Sequence, residues 1–517
     1  MARVVLLGSS PGPGAAAPTG LRLAALPGTP TVGDRLRDQV LSMDPRPATI
    51  GTGDVAEALR SLAEVAETAN ESLFIIPDNS VVHDELIYQI NKTKRGALVL
   101  VAKEPRQQAD EDAEEADEAP EAHDEQVTES VPITEAEPEI GMNRVEGLTV
   151  RTRIGKTRVV SVGTATHKVT RPNAVLLGPM YISARNAPVL AETCRELAAM
   201  ASTFGEDDDL VQLIAFGLVR KGVSVGIRGR RDLFYRRVTT QEEANEAAVE
   251  MSGIDEDRAR LNNAVKGADG FFTTFFVSTY SRFIARWAAR RGLTPNQVTL
   301  ISIALGVAAA ACFATGQRPW MIAGGLLIYF AFVFDCVDGQ VARYARKFGV
   351  LGAWLDATFD RFKEYVVFAG LAVGWIVAGN GGDDIWIFAL AAIGLQSIRH
   401  LLDFSFGIST RRKPPAKLPT LPLDAPDDRD LRQALERRKV ESSNGVRRVL
   451  KLWTKAGKYR AVHWARKMIV FPIGERFAAI AITAALFDAR ITFLTLVIWG
   501  TVAAVYTLTG RLMRSLA

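Results

Sequence analysis

The sequence predicts two parts of different fold class, an α/β domain in the cytosol followed by an all-α domain of six transmembrane helices. Up to residue 265, short apolar runs alternate with helical segments, which is typical of a layered α/β domain. Six apolar stretches long enough to cross a bilayer follow residue 292. Hydrophobic residues make up 48% of the 517-residue chain, and their excess lies almost entirely in this second part. We therefore expect residues 1–265 to form the first domain and residues 293–517 the membrane domain.

The first domain is predicted from its strand and helix signals. The runs RVVLLG, SLFIIPD and GALVLVA indicate buried strands, and DVAEALRSLAEVAETA and DELIYQI indicate the helices between them. Residues 104–139 are acidic, contain prolines and have almost no large apolar side chains, so we expect a disordered insertion. A hairpin turning near Gly155 and helices around 187–203 and 241–265 complete the domain.

Residues 266–292 are predicted to form an amphipathic helix in the headgroup plane of a membrane. Five large aromatic side chains alternate there with four arginines, a pattern typical of interfacial helices: Phe271, Phe275, Phe276, Phe283 and Trp287 among Arg282, Arg286, Arg290 and Arg291. The alternative is an ordinary surface helix packed on the first domain.

Six segments reach the roughly 20 apolar residues that a helix needs to span the hydrocarbon core. They are 296–315, 320–342, 350–378, 385–406, 467–487 and 490–512. Lysine and arginine are concentrated in alternate links, so the positive-inside rule predicts a multi-pass protein of the cell membrane with both termini cytoplasmic. A soluble protein with very apolar helices is the alternative.

Cysteine content and net charge exclude several classes of protein. Cys194, Cys312 and Cys336 are isolated thiols without CxxC spacing, so neither a disulfide framework nor a zinc site is predicted. The net charge is only +4, with 62 basic and 58 acidic residues. We expect no nucleic-acid partner.

Four aspartates stand beside apolar sequence in the second and third predicted spans. Asp335 and Asp338 share one helix face, and Asp356 and Asp360 share another. Antiparallel helices would bring both faces into one pocket, where four unpaired charges at membrane depth would be costly. Oxygen ligands suit Mg²⁺ or Mn²⁺, which would in turn bind phosphate oxygens. The sequence therefore predicts a metal and phosphate site.

The same stretch resembles a known enzyme family. DCVDGQVAR followed by GAWLDATFD fits the pattern DxxDGxxAR(x)8GxxxDxxxD of the CDP-alcohol phosphotransferase family at every fixed position. Members of that family transfer a phosphate-linked group from a CDP-activated donor to an alcohol and release CMP. The resemblance implies a six-helix membrane fold, a homodimer, and a role in phospholipid or polar-lipid biosynthesis with CDP-diacylglycerol or a CDP-polyol as donor.

The resemblance also implies a role for each motif residue. Asp335, Asp338 and Asp356 match ligands of a two-metal centre holding Mg²⁺ or Mn²⁺, and Asp360 matches a residue that shares a metal and acts as general base. The positions that match the CDP-binding set or border the nucleotide are Gly339, Ala342, Arg343, Gly352, Asn296 and Thr299.

Basic residues near the fifth span are candidates for binding the acceptor alcohol. Arg476 lies within the apolar run, and Arg466 and Lys467 lie just before it. Such a basic rim would suit an anionic acceptor, such as inositol phosphate or another polyol phosphate. For the residues before the span, positive-inside anchoring alone is the alternative.

The order of the two parts is similar to that of bifunctional inositol-1-phosphate cytidylyltransferase/di-myo-inositol-phosphate-phosphate synthases. FIIPDNSVVHDELI and DLFYRRVTTQEEANEAA carry the likeness to a nucleotidyltransferase domain. The Gly-rich opening loop, however, lacks the expected Lys, and Arg237 stands near the position of a metal-binding Asp. Asp78 remains a possible metal ligand. We expect a nucleotidyltransferase-like fold with lost or altered activity.

Two other functions are compatible with parts of this pattern. A six-helix transporter or cation channel would use the aspartates as a translocation site, although no repeat symmetry is evident. A non-catalytic membrane scaffold would recruit partners through its first domain and acidic insertion.

Overall fold

A computed structural model describes most of the chain. The described residues are 2–8, 17–51, 53–93, 96–103, 144–150, 156–170, 172–205, 208–230, 232–266, 269–381, 384–411, 418–441, 445, 452–453, 456–457 and 459–516. The predicted acidic insertion and the turn near Gly155 lie outside these ranges. The chain divides into two compact units: unit 1 is Met1–Glu256 with Pro414–Ser443, and unit 2 is Asp257–Lys413 with Asn444–Ala517.

Unit 1 is an α/β domain, as predicted, built on an eight-stranded mixed sheet in the order β2-β1-β3-β8-β5-β9-β7-β6. A separate two-stranded sheet pairs β10 with β4. The strands are β1 Arg3–Leu7, β2 Ala48–Ile50, β3 Leu73–Pro77, β4 Ser80–Val82, β5 Ala97–Lys103, β6 Arg144–Val150, β7 Lys156–Val162, β8 Ala174–Ile182, β9 Val225–Gly229 and β10 Tyr235–Arg237.

Strands β2, β1 and β3, at one edge of this sheet, are parallel and almost wholly apolar. β1 pairs in parallel with β2 and β3, and all five residues of β3 are buried. Parallel strands covered on both faces read as continuous apolar runs, which explains the run LFIIP. β8 pairs antiparallel with both β3 and β5 at the centre of the sheet.

Among the described residues of unit 1, six α-helices precede the membrane unit. They are α1 Val32–Leu41, α2 Val55–Thr68, α3 Asp84–Asn91, α4 Ala187–Ala199, α5 Leu210–Arg220 and α6 Gln241–Ser252. Leu59, Leu197 and Phe216, from α2, α4 and α5, are buried in one core cluster with the sheet residues. This cluster holds the layers together, since apolar burial is the main favourable term in folding.

The segment Pro414–Ser443 packs on the rest of unit 1 although it comes between two membrane helices in sequence. Its Leu418 is buried in the core cluster of unit 1, and Leu421 N–H donates to the carbonyl of Arg220 at 2.9 Å. Gly222, with φ +75°, faces it so closely that a Cβ would lie 2.9 Å from the Leu418 carbonyl oxygen. We call this segment the strap. The sequence-based domain boundary at residue 265 did not include it.

The strap and unit 1 also share buried polar groups. Asp428 accepts a hydrogen bond from the Thr170 hydroxyl and is 1% exposed. His167 Nδ1 donates to the Ala425 carbonyl at 2.9 Å, and Arg220 donates to His167 Nε2 at 2.9 Å. Burial lowers the pKa of His167, which keeps the ring neutral and able to accept from Arg220.

The described secondary structure of unit 2 consists of helices joined by loops, as predicted for the membrane domain. Its helices are α7 Glu256–Ala264 at the unit boundary, α8 Ser278–Arg290, α9 Pro295–Ala314, α10 Arg318–Tyr344, α11 Val350–Val377, α12 Asp384–Arg411, α14 Arg460–Ile469, α15 Ile473–Leu486 and α16 Ala489–Leu516; α13 Arg429–Glu441 belongs to the strap. α9 begins with a capping box between Thr294 and Gln297 and with Pro295 in the first turn, which fixes its start.

Four of these helices, α9, α10, α12 and α16, are long and apolar enough to cross a membrane. A fifth span is obtained if α14 and α15, which are bent by 74° at a short break, count as one. The predicted third span forms the 28-residue helix α11. Because of the charged residues in its first half, α11 is not among the helices that are apolar enough to cross a membrane. Its charges are explained by the site described below.

The interfacial placement of residues 266–292 stays a prediction. α8 exposes Phe283 and Trp287, and a π-helical turn at Thr273–Val277 exposes Phe276, so the aromatic face is present.

Candidate active site

Three helices form the candidate site, rather than the two that carry the aspartates. α9 packs against both α10 and α11 along its length. Glycines make this close approach possible, because a Cβ at Gly370 of α11 would lie 2.4 Å from the Ala310 carbonyl oxygen of α9. α9 therefore packs against both helices that carry the aspartates and lines the site beside them.

Three of the four predicted carboxylates converge. One oxygen from each of Asp335, Asp338 and Asp356 lies within 4.8 Å of the others. Asp338 is buried, while Asp335 and Asp356 are half-buried. Asp360 belongs to the same region but not to this compact group.

The donor set of this triad fits a divalent cation. Mg²⁺ is held by oxygen ligands at about 2.1 Å, so oxygens around one ion lie no more than roughly 4 Å apart. The observed separations of up to 4.8 Å need only small side-chain rotations to reach that arrangement. Carboxylate oxygens favour Mg²⁺ or Mn²⁺ over softer metals.

Asp360 is joined to the triad by Lys363, which the sequence analysis did not single out. The Lys363 ammonium hydrogen-bonds Asp335 Oδ1 and lies 3.1 Å from Asp360 Oδ1. The contact between Lys363 and Asp360 is an ion pair and not a hydrogen bond. Asp360 Oδ1 accepts no hydrogen bond from the described residues. Lys363 is fully buried. A lysine three residues after Asp360 in an apolar run was the available signal.

Thr299 and Asn296 lie where the resemblance puts them, at the start of α9. Thr299 donates a hydrogen bond of 2.5 Å to Asp338 Oδ2, and both side chains are buried. Asn296 faces Gly352, where a Cβ would lie 2.8 Å from its Oδ1. Gly352 thus allows the start of α11 to approach α9 closely.

Gly339 and Arg343 lie one turn apart on α10. A Cβ at Gly339 would lie 3.3 Å from Arg343 Nη1, so the guanidinium covers the glycine. Arg343 also donates to the Ala264 carbonyl. Ala342 beside it is half-buried. Their role in binding the CDP moiety stays a prediction.

Arg476 does not lie free at the rim but is buried in an ion pair. Its Nε is 2.9 Å from Glu364 Oε1, and Nη1 donates to the Phe471 carbonyl at 3.2 Å. Arg466 stacks over the Trp453 ring at 4.2 Å, and Lys467 donates to the Asp269 carbonyl at 3.1 Å. Acceptor binding by these three residues stays a prediction.

A cavity of about 290 Å³ opens beside Asp360. Its charged and imidazole-bearing wall residues are of both signs: Arg361, Arg399, His400 and Arg476 together with Asp360, Glu364 and Asp403. Arg399 and His400 of α12 were not predicted; the signal was the sequence SIRH inside an otherwise apolar segment. Arg466 and Lys467 do not line this cavity.

A second polar cluster lies in unit 1, where the sequence analysis compared a nucleotidyltransferase site. Arg237 Nη1 lies 2.8 Å from Asp209 Oδ1, and Arg237 Nε donates to Asn79 Oδ1 at 3.2 Å. Burial alone would lower the pKa of Arg237, but Asp209 together with the acidic groups of Tyr235 and Asp78 outweighs burial and raises it. A fixed positive charge therefore neutralises the carboxylate at this place.

Comparison with known proteins identifies the region that holds the four aspartates. Residues 292–420 match the CDP-alcohol phosphatidyltransferase family. Similar curated proteins include the phosphatidylinositol phosphate synthase of Mycobacteroides abscessus, 42% identical over 103 residues, which are 20% of this chain and 44% of that protein. The synthase of Streptomyces avermitilis is 36% identical over 142 residues, 27% of this chain and 52% of that protein.

A third relative belongs by its name to the bifunctional synthases. The bifunctional IPC transferase and DIPP synthase of Rubrobacter xylanophilus is 38% identical over 82 residues, 16% of this chain and 18% of that protein. The chain thus spans about half, or less, of the length of these CDP-alcohol phosphatidyltransferase relatives.

Solved structures similar to parts of the chain fall into two groups. One is the Mycobacterium tuberculosis phosphatidylinositol phosphate synthase with CDP-DAG bound, with TM-score 0.23 and 22% identity over 42% of this chain and 91% of that one. The other includes the inositol-1-phosphate CTP transferase from T. maritima, with TM-score 0.27 and 10% identity over 49% of this chain and 98% of that one. These TM-scores are low, and the fold of each unit is described above from its own strands and helices.

Proposed function

We propose that unit 2 is a membrane transferase that moves a phosphate-linked group from a CDP-activated donor to an alcohol and releases CMP. The observation that carries the proposal is the convergence of Asp335, Asp338 and Asp356, with Asp360 beside them, inside the region that matches the CDP-alcohol phosphatidyltransferase family. The proposed setting is the cell membrane, with the site on the cytoplasmic side and the chain paired as a homodimer.

The proposed reaction is a displacement at phosphorus. The alcohol oxygen forms a bond to the phosphorus that carries the donor group, and the bond from that phosphorus to the CMP oxygen breaks, its electron pair leaving with CMP. Asp360 accepts the proton of the attacking hydroxyl. A divalent cation held by the aspartates supplies neutralisation of the pyrophosphate charge.

Arg343 and Gly339 are proposed to hold the CDP moiety. The absence of a side chain at Gly339 leaves room for a phosphate to approach the backbone of α10. A guanidinium presents paired donors that match phosphate oxygens, and Arg343 lies directly over this glycine. Thr299 fixes the orientation of Asp338 from the opposite wall.

For the acceptor, we propose a polyol phosphate such as inositol phosphate, with CDP-diacylglycerol as donor. The relatives named phosphatidylinositol phosphate synthase support this choice. The cavity beside Asp360 is lined by Arg361, Arg399 and Arg476 as well as by Glu364 and Asp403, and we propose that its guanidinium groups bind the phosphate of such an acceptor. A CDP-polyol donor, as in the relatives that are bifunctional synthases, is the alternative.

Product analysis tests the proposal. Purified full-length protein in detergent, supplied with Mg²⁺ or Mn²⁺, is offered CDP-diacylglycerol or a CDP-polyol, each with inositol phosphate or with free inositol, and the products are identified by mass spectrometry. CMP release with CDP-diacylglycerol and inositol phosphate is the expected result. Ion flux in proteoliposomes without CMP would instead favour the transporter, and normal cellular function without the four aspartates would favour the scaffold.

For unit 1, we infer a nucleotidyltransferase-like domain without cytidylyltransferase activity. Arg237, paired with Asp209, stands near the position at which the sequence comparison expects a metal-binding Asp. A guanidinium there would repel the divalent cation that nucleotidyl transfer requires. Formation of a CDP-polyol from CTP and a polyol phosphate by the wild-type protein would contradict this inference.

A further inference from the structure

Lys363 occupies a site that the fold builds for it. Its side chain runs between α9 and α11, where a Cβ at Gly306 would lie 2.9 Å from Lys363 Cγ. Its ammonium donates to Ser302 Oγ at 2.9 Å, and Ser302 in turn donates to the Ala331 carbonyl at 2.8 Å. The glycine and the hydroxyl thus provide the space and one hydrogen-bond partner for a buried ammonium.

The remaining partners of this ammonium are two of the four motif carboxylates. It hydrogen-bonds Asp335 Oδ1 and lies 3.1 Å from Asp360 Oδ1. A cation placed between Asp335 and Asp360 would have to share these oxygens with Lys363. One oxygen from each of Asp335, Asp338 and Asp356 still lies within 4.8 Å of the others, so these three carboxylates can share one ion.

We propose that Lys363 takes the place of a second divalent cation, so that the centre binds one metal ion per chain, at Asp335, Asp338 and Asp356. This rests on the proposed function, which places a metal at the motif, but differs from the two-metal centre that the family resemblance implies. Lys363 is then a positioning residue that holds Asp360 beside the single metal.

The test is the number of Mn²⁺ ions bound, measured without turnover. Full-length protein in detergent, stripped of metal, is titrated with Mn²⁺, and free Mn²⁺ is quantified by electron paramagnetic resonance. The wild type is expected to bind one ion per chain and Lys363→Met to bind two, since methionine keeps the length of the stem and removes the charge. Lys347→Met, at an exposed position, is the matched control and is expected to bind one.

A second pair of variants locates the additional ion. Asp360→Asn alone is expected to leave one ion bound, because the triad is intact. Asp360→Asn in the Lys363→Met background is expected to return the number from two to one.

The outcomes separate the two proposals. Two ions bound by the wild type would overturn the role of Lys363 while leaving the transferase proposal in place. No binding would overturn both, because the aspartates would then not be a metal centre. If Lys363→Met does not elute as a monodisperse protein, the wild-type number still decides between one ion and two.

Discussion

Arg476 Nε lies 2.9 Å from Glu364 Oε1, and both side chains are almost entirely buried in unit 2. This pair links α15 to α11 next to the cavity that Asp360 borders. Arg476 therefore neutralises a buried carboxylate, while its contact with the acceptor stays a prediction.

The structural role gives the first prediction. Arg476→Met is expected to destabilise unit 2 by about 3–5 kcal/mol, because it leaves the Glu364 charge buried without a partner. Thermal unfolding in detergent, followed by tryptophan fluorescence, measures this effect, since all eight tryptophans belong to unit 2. The double variant Glu364→Leu/Arg476→Met should be less destabilised than the single one. Equal or greater destabilisation of the double variant would argue against a charge effect.

Removal of the predicted general base is the second prediction. Asp360→Ala is expected to lower the rate of CMP release by at least about 100-fold, the usual contribution of a positioned base. Asp384→Ala is the control, because Asp384 is exposed at the start of α12 and pairs only with Arg490 in the described structure. Undiminished CMP release by Asp360→Ala would refute the assigned role.

The third prediction concerns the hydrogen bond from Thr299 to Asp338. Thr299→Val keeps the shape of the side chain and removes its hydroxyl. Asp338 then loses the hydrogen bond that orients its carboxylate. We expect Mn²⁺ to bind about 10–100-fold more weakly, as is usual when a group that orients a metal ligand is removed. Thr495→Val, on α16, removes a hydroxyl that donates to the Ile491 carbonyl, and this variant should bind Mn²⁺ as the wild type does. Unchanged affinity in Thr299→Val would show that this hydrogen bond does not orient a ligand.

Docking of the strap is the subject of the fourth prediction. Asp428→Asn removes the charge that Thr170 and Arg432 contact. We expect the free energy of docking of the strap on the rest of unit 1 to become less favourable by about 1–3 kcal/mol. Hydrogen–deuterium exchange of residues 418–441 should become correspondingly faster in the full-length protein. Glu436→Gln, at an exposed position on α13, is expected to leave the exchange rates unaltered. Equal exchange in both variants would contradict the role given to Asp428.

The fifth prediction is a loss of unit 1 stability in acid. Burial, assisted by Arg35, lowers the pKa of His83 from 6.5 to about 4, and the neutral ring accepts a hydrogen bond from Phe234 N–H at 2.8 Å. The unfolded chain therefore binds the proton first as pH falls, and stability present above about pH 6.5 is lost towards pH 4. This residue contributes at most roughly 3 kcal/mol.

Exchange rates test this pH dependence. The opening free energy of the β3 peptide Leu73–Pro77, corrected for intrinsic exchange, should fall between pH 6.5 and pH 4 in the wild type. His83→Asn removes the titrating group, so its slope should be smaller, although His167, whose pKa is also lowered, still contributes with the same sign. Identical slopes would exclude His83 as a source of the acid sensitivity.

Local sequence patterns were sufficient for much of the fold. The continuous apolar run of β3 and the amphipathic pattern of α2 predicted a layered domain, because strand and helix periods are properties of neighbouring residues. The four aspartates Asp335, Asp338, Asp356 and Asp360 were likewise predicted from their spacing, and their roles from the family resemblance. The boundary of the first domain was harder to predict, since the strap is separated from the rest of unit 1 in sequence by residues 257–413 of unit 2.

The sequence by itself determined the class of each unit, the membrane-spanning character of the second, and the carboxylates of the candidate site. Only the tertiary structure decided that α9 packs against both aspartate-bearing helices, that Lys363 joins Asp360 to Asp335, and that Arg476 is neutralised by Glu364. The physical reason is that periodicity and composition act over a few residues, whereas the partner of a buried charge is set by packing between helices far apart in the chain.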